Sequence, residues 1–228
     1  MRIDVLTIFP GILTGFLDES LMALVRAKGL VDIRLWDIRA YTDDKHAKID
    51  DRPYGGGPGM VMMPQPVFAA VEAAQADSPQ RARTILLTPQ GRTLDQALVR
   101  ELAQERRLLL VCGRYEGFDE RIRLGLGADE ISIGDYVLAG GELPAMVVVE
   151  AVVRLLPGAL GHPDSATQES FEDNTLDFPQ YTRPPAFRGM AVPDVLLSGD
   201  HERVRQWRDQ QARERTRRRR PDLAQKNP

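Results

Sequence analysis

Apolar positions change their spacing along the chain, and each change marks a new element. Ile3, Val5, Leu6 and Ile8 predict a first strand over Met1 to Phe9, ended by Pro10-Gly11. Leu17, Leu21, Leu24 and Val25 then recur at helical spacing up to Gly29. Val31, Ile33, Leu35 and Trp36 alternate as a second strand, Leu30 to Ile38. From Tyr41 to Gly59 no period survives, and a polar, glycine-rich stretch of that length in a compact domain is functional or mobile.

Periodicity returns at Pro64, which opens a helix through Phe68, Val71 and Ala74. A strand, Thr84 to Thr88, runs into Pro89-Gln90-Gly91, and Leu94, Leu98 and Leu102 mark the next helix. Leu108 to Cys112 is continuously apolar, as a strand covered on both faces of a parallel sheet requires. A short helix from Asp119 to Leu124, a strand from Glu130 to Ile133 and an apolar helix from Met146 to Leu156 follow. The alternation predicts an α/β fold with a mostly parallel sheet and helices on both faces.

Beyond Leu156 the pattern breaks down. Pro157 to Asp177 is rich in Gly, Pro, Ser and acidic residues and reads as a linker between domains. Pro179 to Pro193 is rich in proline and aromatics, and Ser198 or Asp200 caps a last helix carrying Val204 and Trp207. Charge sharpens this division. The net charge is −3, yet His201 to Pro228 holds ten Lys and Arg against four Asp and Glu. An acidic body with a basic tail suits a polyanionic partner, although a solvated charged helix has the same composition.

Composition otherwise excludes more than it assigns. With 43% hydrophobic and 28% charged residues the chain is an ordinary globular protein. No apolar run approaches membrane-spanning length, and the amino terminus reads directly into a strand. The single cysteine, Cys112, excludes an internal disulfide framework and fits a reducing, cytoplasmic compartment. It ends a buried strand and reads as a small core residue. His46, His162 and His201 have no metal-ligand spacing with it, so no metal site is expected.

Three loops follow strands: Thr88 to Gly91, Gly113 to Gly117, and Gly134 to Gly141. In a parallel sheet all three lie at the carboxyl edge and can line one crevice, where open α/β sheets bind ligands. Any one of them alone is equally a tight turn. Dinucleotide and triphosphate signatures are missing: Gly125-Leu126-Gly127 lacks a third glycine, and Gly55-Gly56-Gly57-Pro58-Gly59 lacks the P-loop lysine and hydroxyl. Among carboxylates, Glu169, Asp173 and Asp177 lie in the linker, and Arg154 stands near the end of the apolar helix.

Four motifs together resemble the bacterial tRNA (guanine-N1)-methyltransferase family, TrmD. They are Asp51-Arg52-Pro53-Tyr54-Gly55-Gly56-Gly57-Pro58-Gly59-Met60, Cys112 to Gly117, Ser132 to Leu138 with Gly140 to Pro144, and Tyr181-Thr182-Arg183-Pro184. Their order and spacing cover essentially the whole chain. The resemblance implies a SPOUT-type parallel sheet with a deep C-terminal trefoil knot, followed by a small all-helical domain. It implies three segments: a methyltransferase domain over 1–160, a mobile linker over 161–176 and a basic tRNA-binding domain over 177–228. The family works as a cytoplasmic homodimer with each active site shared between subunits.

The implied reaction is S-adenosylmethionine-dependent methylation of N1 of the guanosine at tRNA position 37, just 3′ of the anticodon. By matching position, the cofactor pocket comprises Leu86, Leu87, Pro89, Gly113, Glu116, Ile133, Gly134, Tyr136, Leu138, Gly140, Gly141 and Pro144. Guanine N1 carries a proton at neutral pH, so the chemistry needs a base at N1 and a cation near O6. Arg154 matches the family's arginine, and Glu169, before Ser170-Phe171, stands where the family has its aspartate base. Asp177 is the second candidate base. Arg183, Arg203, Arg208 and Arg215 are candidates for RNA contacts, and His46, Asp50 and Arg52 for RNA or dimer contacts. Magnesium has a suggested role in the family, but the sequence offers no dedicated ligand set for it. A related enzyme acting on ribosomal RNA and an RNA-binding protein without catalysis are the competing readings.

Overall fold

The computed structural model describes residues 1–161, 169–171 and 174–224. The chain divides into two compact units, Met1–Gly161 and His162–Pro228. His162 and Asp173, and most of the linker expected over 161–176, lie outside the described residues.

The first unit follows the predicted alternation: β1 (Arg2–Thr7), α1 (Gly11–Leu17), α2 (Ser20–Ala27), β2 (Asp32–Asp37), β3 (Asp50–Asp51), β4 (Val61–Met62) and α3 (Pro64–Ala76). It continues with β5 (Arg83–Thr93), α4 (Gln96–Ala103), β6 (Arg107–Cys112), α5 (Glu120–Leu126), β7 (Asp129–Ser132) and α6 (Glu142–Val153). The five longer strands form one sheet in the order β2-β1-β6-β5-β7, with every pairing parallel. Central β6 is buried along its whole length, which explains its continuous apolar run.

Strand periodicity sorts the core into two layers. Leu108, Leu110 and Cys112 of β6 join Ile85 and Leu87 of β5 on one face, against Leu98 and Leu102 of α4 and Ala145, Val149 and Val152 of α6. Leu109, Val111 and Leu86 point to the other face, against Val67, Ala70 and Val71 of α3 and Ile122 of α5. Each such buried aliphatic side chain contributes roughly 1.5–3 kcal/mol.

Two details depart from the periodic reading. The helix expected up to Gly29 is two helices, because Glu19 is extended and Ser20 has φ of 51°. Arg26 Nη1 donates to the Leu17 carbonyl at 2.7 Å and so satisfies the exposed end of α1. The strand expected to stop at Thr88 instead resumes after a bulge. Leu87 and Arg92 both face Ile131, so Thr88–Gly91 loops out of the sheet. A side chain at Gly91 would collide with the backbone of Glu130 and Ile131, where the chain crosses directly over β7.

The second unit contains β8 (Ala186–Phe187), β9 (Met190–Ala191), α7 (Asp194–Leu197), α8 (His201–Arg219) and α9 (Pro221–Ala224). It is therefore not all-helical: β8 and β9 pair antiparallel as a small hairpin. Arg188 and Gly189 both have positive φ, 51° and 77°, which is the two-residue turn that matches strand twist. Asp200 caps α8 by accepting the Arg203 N–H at 3.1 Å. Among the described residues no helix is long and apolar enough to cross a membrane.

Candidate functional site

The three strand-end loops meet. Thr88–Gln90, Gly113–Phe118, Ser132–Gly134 and Tyr136–Gly141 line one cleft of about 310 Å³ at the carboxyl edge of the sheet. Leu87, Ile131 and Pro144 add apolar wall. Every predicted cofactor residue lines it except Leu86, which the period of β5 sends into the opposite core layer. Residues the family match did not single out also line it, notably Arg114, Tyr115, Phe118 and Val137. Three of these four belong to the glycine loop after β6, so the loop was the available signal.

Backbone geometry shapes the cleft. Gly134 has φ of 144°, and a Cβ there would stand 2.7 Å from the Tyr136 ring, so the ring folds across it. Ser132 Oγ fixes this turn by accepting the Gly134 N–H at 3.2 Å and donating to its carbonyl at 3.1 Å. On the facing loop, Gly117 N–H donates to the Arg114 carbonyl at 3.0 Å, and Glu116 N–H to the Met60 carbonyl at 3.0 Å. The Gly113 carbonyl accepts the Gly141 N–H at 2.8 Å, closing the floor between the two loops. Apolar walls with backbone polar groups at the turns suit a ligand with a planar apolar part and several hydrogen-bonding groups.

The long polar stretch comes to the same place. β3 and β4 pair antiparallel, and Met62 N–H donates to the Gly117 carbonyl at 2.9 Å. Asp50 of β3 lies beside Tyr115: burial first, and then the Asp50 charge, raises the pKa of the Tyr115 hydroxyl. His46 and Arg52 are exposed on either side of β3. Cys112 lies beneath the cleft, fully buried, and burial with the Glu142 charge pushes its thiol well above the ordinary range. It is a core residue, as expected. Among the described residues no group of three or more His, Cys, Asp and Glu could hold a metal.

Arg154 occupies the C-cap of α6, half-buried. Glu169 and Asp177 belong to the second unit, and Ser170 Oγ, next to Glu169, accepts the Asp177 N–H at 2.9 Å. The Asp177 carboxylate is occupied locally: Oδ1 accepts the Phe178 N–H at 2.8 Å and Oδ2 accepts Gln180 Nε2 at 3.1 Å. Of the candidate RNA-binding arginines, Arg183 and Arg203 are exposed. The Arg208 guanidinium lies 4.6 Å from the Phe178 ring centre, and Arg215 Nη1 donates to the Asp177 carbonyl at 3.1 Å. Arg215 therefore also braces the segment that carries Asp177.

Comparison with known proteins identifies the family. The family model described as tRNA (Guanine-1)-methyltransferase TrmD matches residues 1–226. A Moorella thermoacetica protein named tRNA (guanine-N(1)-)-methyltransferase is 57% identical over 224 residues, covering 98% of this chain and 90% of that one. A Geobacillus kaustophilus protein of the same name is 57% identical over 228 residues, covering 100% and 93%. One from Heliobacterium modesticaldum is 54% identical over 227 residues, covering 98% and 84%. With two of the four motifs lining the cleft and residues 1–226 matched, the chain belongs to the tRNA (guanine-1)-methyltransferase TrmD family.

Proposed function

We propose that this chain transfers a methyl group from S-adenosylmethionine to N1 of the guanosine at tRNA position 37. The observation that carries the reading is the cleft: three loops distant in sequence converge on one glycine-lined pocket in a chain of this family. Its apolar walls, from Leu87, Ile133, Leu138 and Pro144, suit an adenine ring, and its backbone turns suit ribose and amino-acid groups. Bound there, S-adenosylmethionine supplies a methyl group on a positively charged sulfur, ready for attack by a nitrogen lone pair.

The chain's own residues then have to free that lone pair. In this reading Glu169 accepts the N1 proton as the N1–CH₃ bond forms and the S–CH₃ bond breaks. Arg154 sits against the negative charge that develops toward O6. Asp177 is the second candidate base, and its N–H ties its segment to Ser170, next to Glu169. The target base leaves its stack to be read on its Watson–Crick edge, as chemistry on a base requires. Arg183, Arg203 and Arg208 hold phosphates, and His46, Asp50 and Arg52 make RNA or dimer contacts.

A homodimer completes the site in this reading. Ile12 of α1 and Leu143 and Val147 of α6 are exposed apolar residues on two helices that pack together near the cleft, a surface a second subunit would cover. The close crossings at Gly91 and at Gly141 favour a SPOUT-type trefoil knot. The proposed organisation is a methyltransferase domain over 1–160, a linker over 161–176 and a tRNA-binding domain over 177–228, in a cytoplasmic enzyme.

The test is transfer of labelled methyl groups to unmodified tRNA carrying guanosine at position 37, with nucleoside analysis of the product. N1-methylguanosine at that position is expected, and its loss when position 37 is adenosine. Methylation of ribosomal RNA fragments but not tRNA, or RNA binding with no transfer, would overturn the reading.

A further inference from the structure

Glu142 is a carboxylate with only 3% of its surface exposed, buried at the start of α6 beneath the cleft. A buried charge needs partners, and Glu142 has two. Its Oε1 accepts the Thr7 hydroxyl at 2.7 Å, and its Oε2 stands 3.4 Å from Arg114 Nε. The Arg114 Nε is itself buried and makes no hydrogen bond, so Glu142 is the group that compensates it. The other end of the guanidinium is engaged: Nη1 donates to the Ala139 carbonyl at 3.0 Å.

This pairing links three chain segments in a closed circuit. Thr7 Oγ1 also accepts the Phe9 N–H at 2.9 Å, and the Phe9 ring lies 4.7 Å from the Arg114 guanidinium. Arg114 belongs to the loop after β6, and Ala139 to the facing loop before α6. Arg114 thus spans the two walls of the cleft, and Glu142, braced by Thr7 at the end of β1, holds it from below. The double glycine fits the same circuit. A Cβ at Gly140 would stand 2.5 Å from Glu142 Oε2 and 2.6 Å from Arg114 Nε, so a side chain there would break the pair.

We propose that Glu142 is a positioning residue, which through Arg114 sets the separation of the two loops that grip the methyl donor. The proposal rests on the cleft being the donor pocket. Thr7 and Glu142 do not line that cleft, so their effect on donor binding must pass through Arg114.

The experiment measures S-adenosylmethionine and S-adenosylhomocysteine affinity by calorimetry for the wild-type protein, Glu142→Gln, Thr7→Val and the double variant, alongside thermal unfolding. Glu142→Gln keeps the shape and an acceptor for Thr7 but removes the charge. Thr7→Val is nearly isosteric and changes no charge, so it remains informative if Glu142→Gln does not fold. The expected result is about tenfold weaker binding in Glu142→Gln and a smaller loss in Thr7→Val. The double variant should be no weaker than Glu142→Gln alone. The KM for the donor should rise in parallel while the KM for tRNA stays unchanged. Failure of the wild-type protein to bind either ligand would remove the donor-pocket reading. Wild-type binding with unchanged affinity in every folded variant, whatever their melting temperatures, would make the circuit structural only and overturn the proposal.

Discussion

Ser170 and Asp177 are joined by a 2.9 Å hydrogen bond from the Asp177 N–H to the Ser170 hydroxyl, which ties the segment holding Glu169 to the segment holding Asp177. The Asp177 carboxylate accepts from the Phe178 N–H and from Gln180 Nε2. With Glu169 as the proposed base, Glu169→Gln should lower kcat by about 100-fold or more, the usual contribution of a positioned base, with tRNA affinity nearly unchanged. Asp177→Asn keeps an oxygen acceptor for Phe178 and should lose less than about tenfold, the loss of one charge-assisted hydrogen bond. Single-turnover kinetics on both variants decides the assignment. The reverse order of effects would make Asp177 the base.

Arg154 lies at the C-cap of α6, on a different element from the three loops of the cleft. A cation whose partner is charge formed during transfer stabilises the transition state and not the bound donor. Arg154→Ala should cut kcat about 100-fold, the scale of one lost electrostatic donor, while S-adenosylhomocysteine affinity holds. Equal losses in both would instead assign Arg154 to ligand binding or to the helix end.

How far these sites can be read from the residues depends on the range of the interaction. The three cleft loops were legible because each is a glycine cluster directly after an apolar run, and a parallel sheet brings such loops to one edge. The match by position also named Leu86, but position does not carry the face of a strand, and the alternation of β5 turns Leu86 away from Leu87. The hairpin of β8 and β9 escaped because two-residue strands have no period to read. The pairing of Thr7 with Glu142 spans 135 residues, and the nearness of Asp50 to Tyr115 crosses from β3 to the loop after β6. Nothing local in the sequence encodes either.

At the opposite edge of the sheet, Arg107 and Asp4 form a buried pair at 2.9 Å, with 1% and 0% side-chain exposure. Arg107 also donates to the carbonyls of Ala74 and Gln80, tying β6 to the end of α3. Asp4 keeps Arg2 and Trp36 when Arg107 is lost, which softens the penalty. Arg107→Met should still destabilise by about 3 kcal/mol, since it uncouples a buried charge and strands carbonyls. Arg34→Ala removes the exposed ion pair with Asp77 and should cost under about 1 kcal/mol. Urea unfolding of the two variants makes the comparison, and equal losses would contradict it.

Cys112 links the core to pH. Burial, with the charge of Glu142 added to it, holds the thiol well above the ordinary value of 9.0 in the folded protein. Below that value the thiol is protonated in both folded and unfolded chains and adds nothing to the pH dependence. Above it the unfolded thiol ionises while the folded one does not, so stability falls as pH rises, by about 1.4 kcal/mol per pH unit from this one group. Wild-type protein should therefore lose stability faster than Cys112→Ala between pH 9 and 10, whatever the offset between them at pH 7. The two unfolding curves should run parallel below pH 8. The same burial should make the native thiol unreactive toward iodoacetamide at pH 8, with reaction appearing on unfolding in urea. Rapid alkylation of the native protein would show that the strand end beneath the cleft opens to solvent.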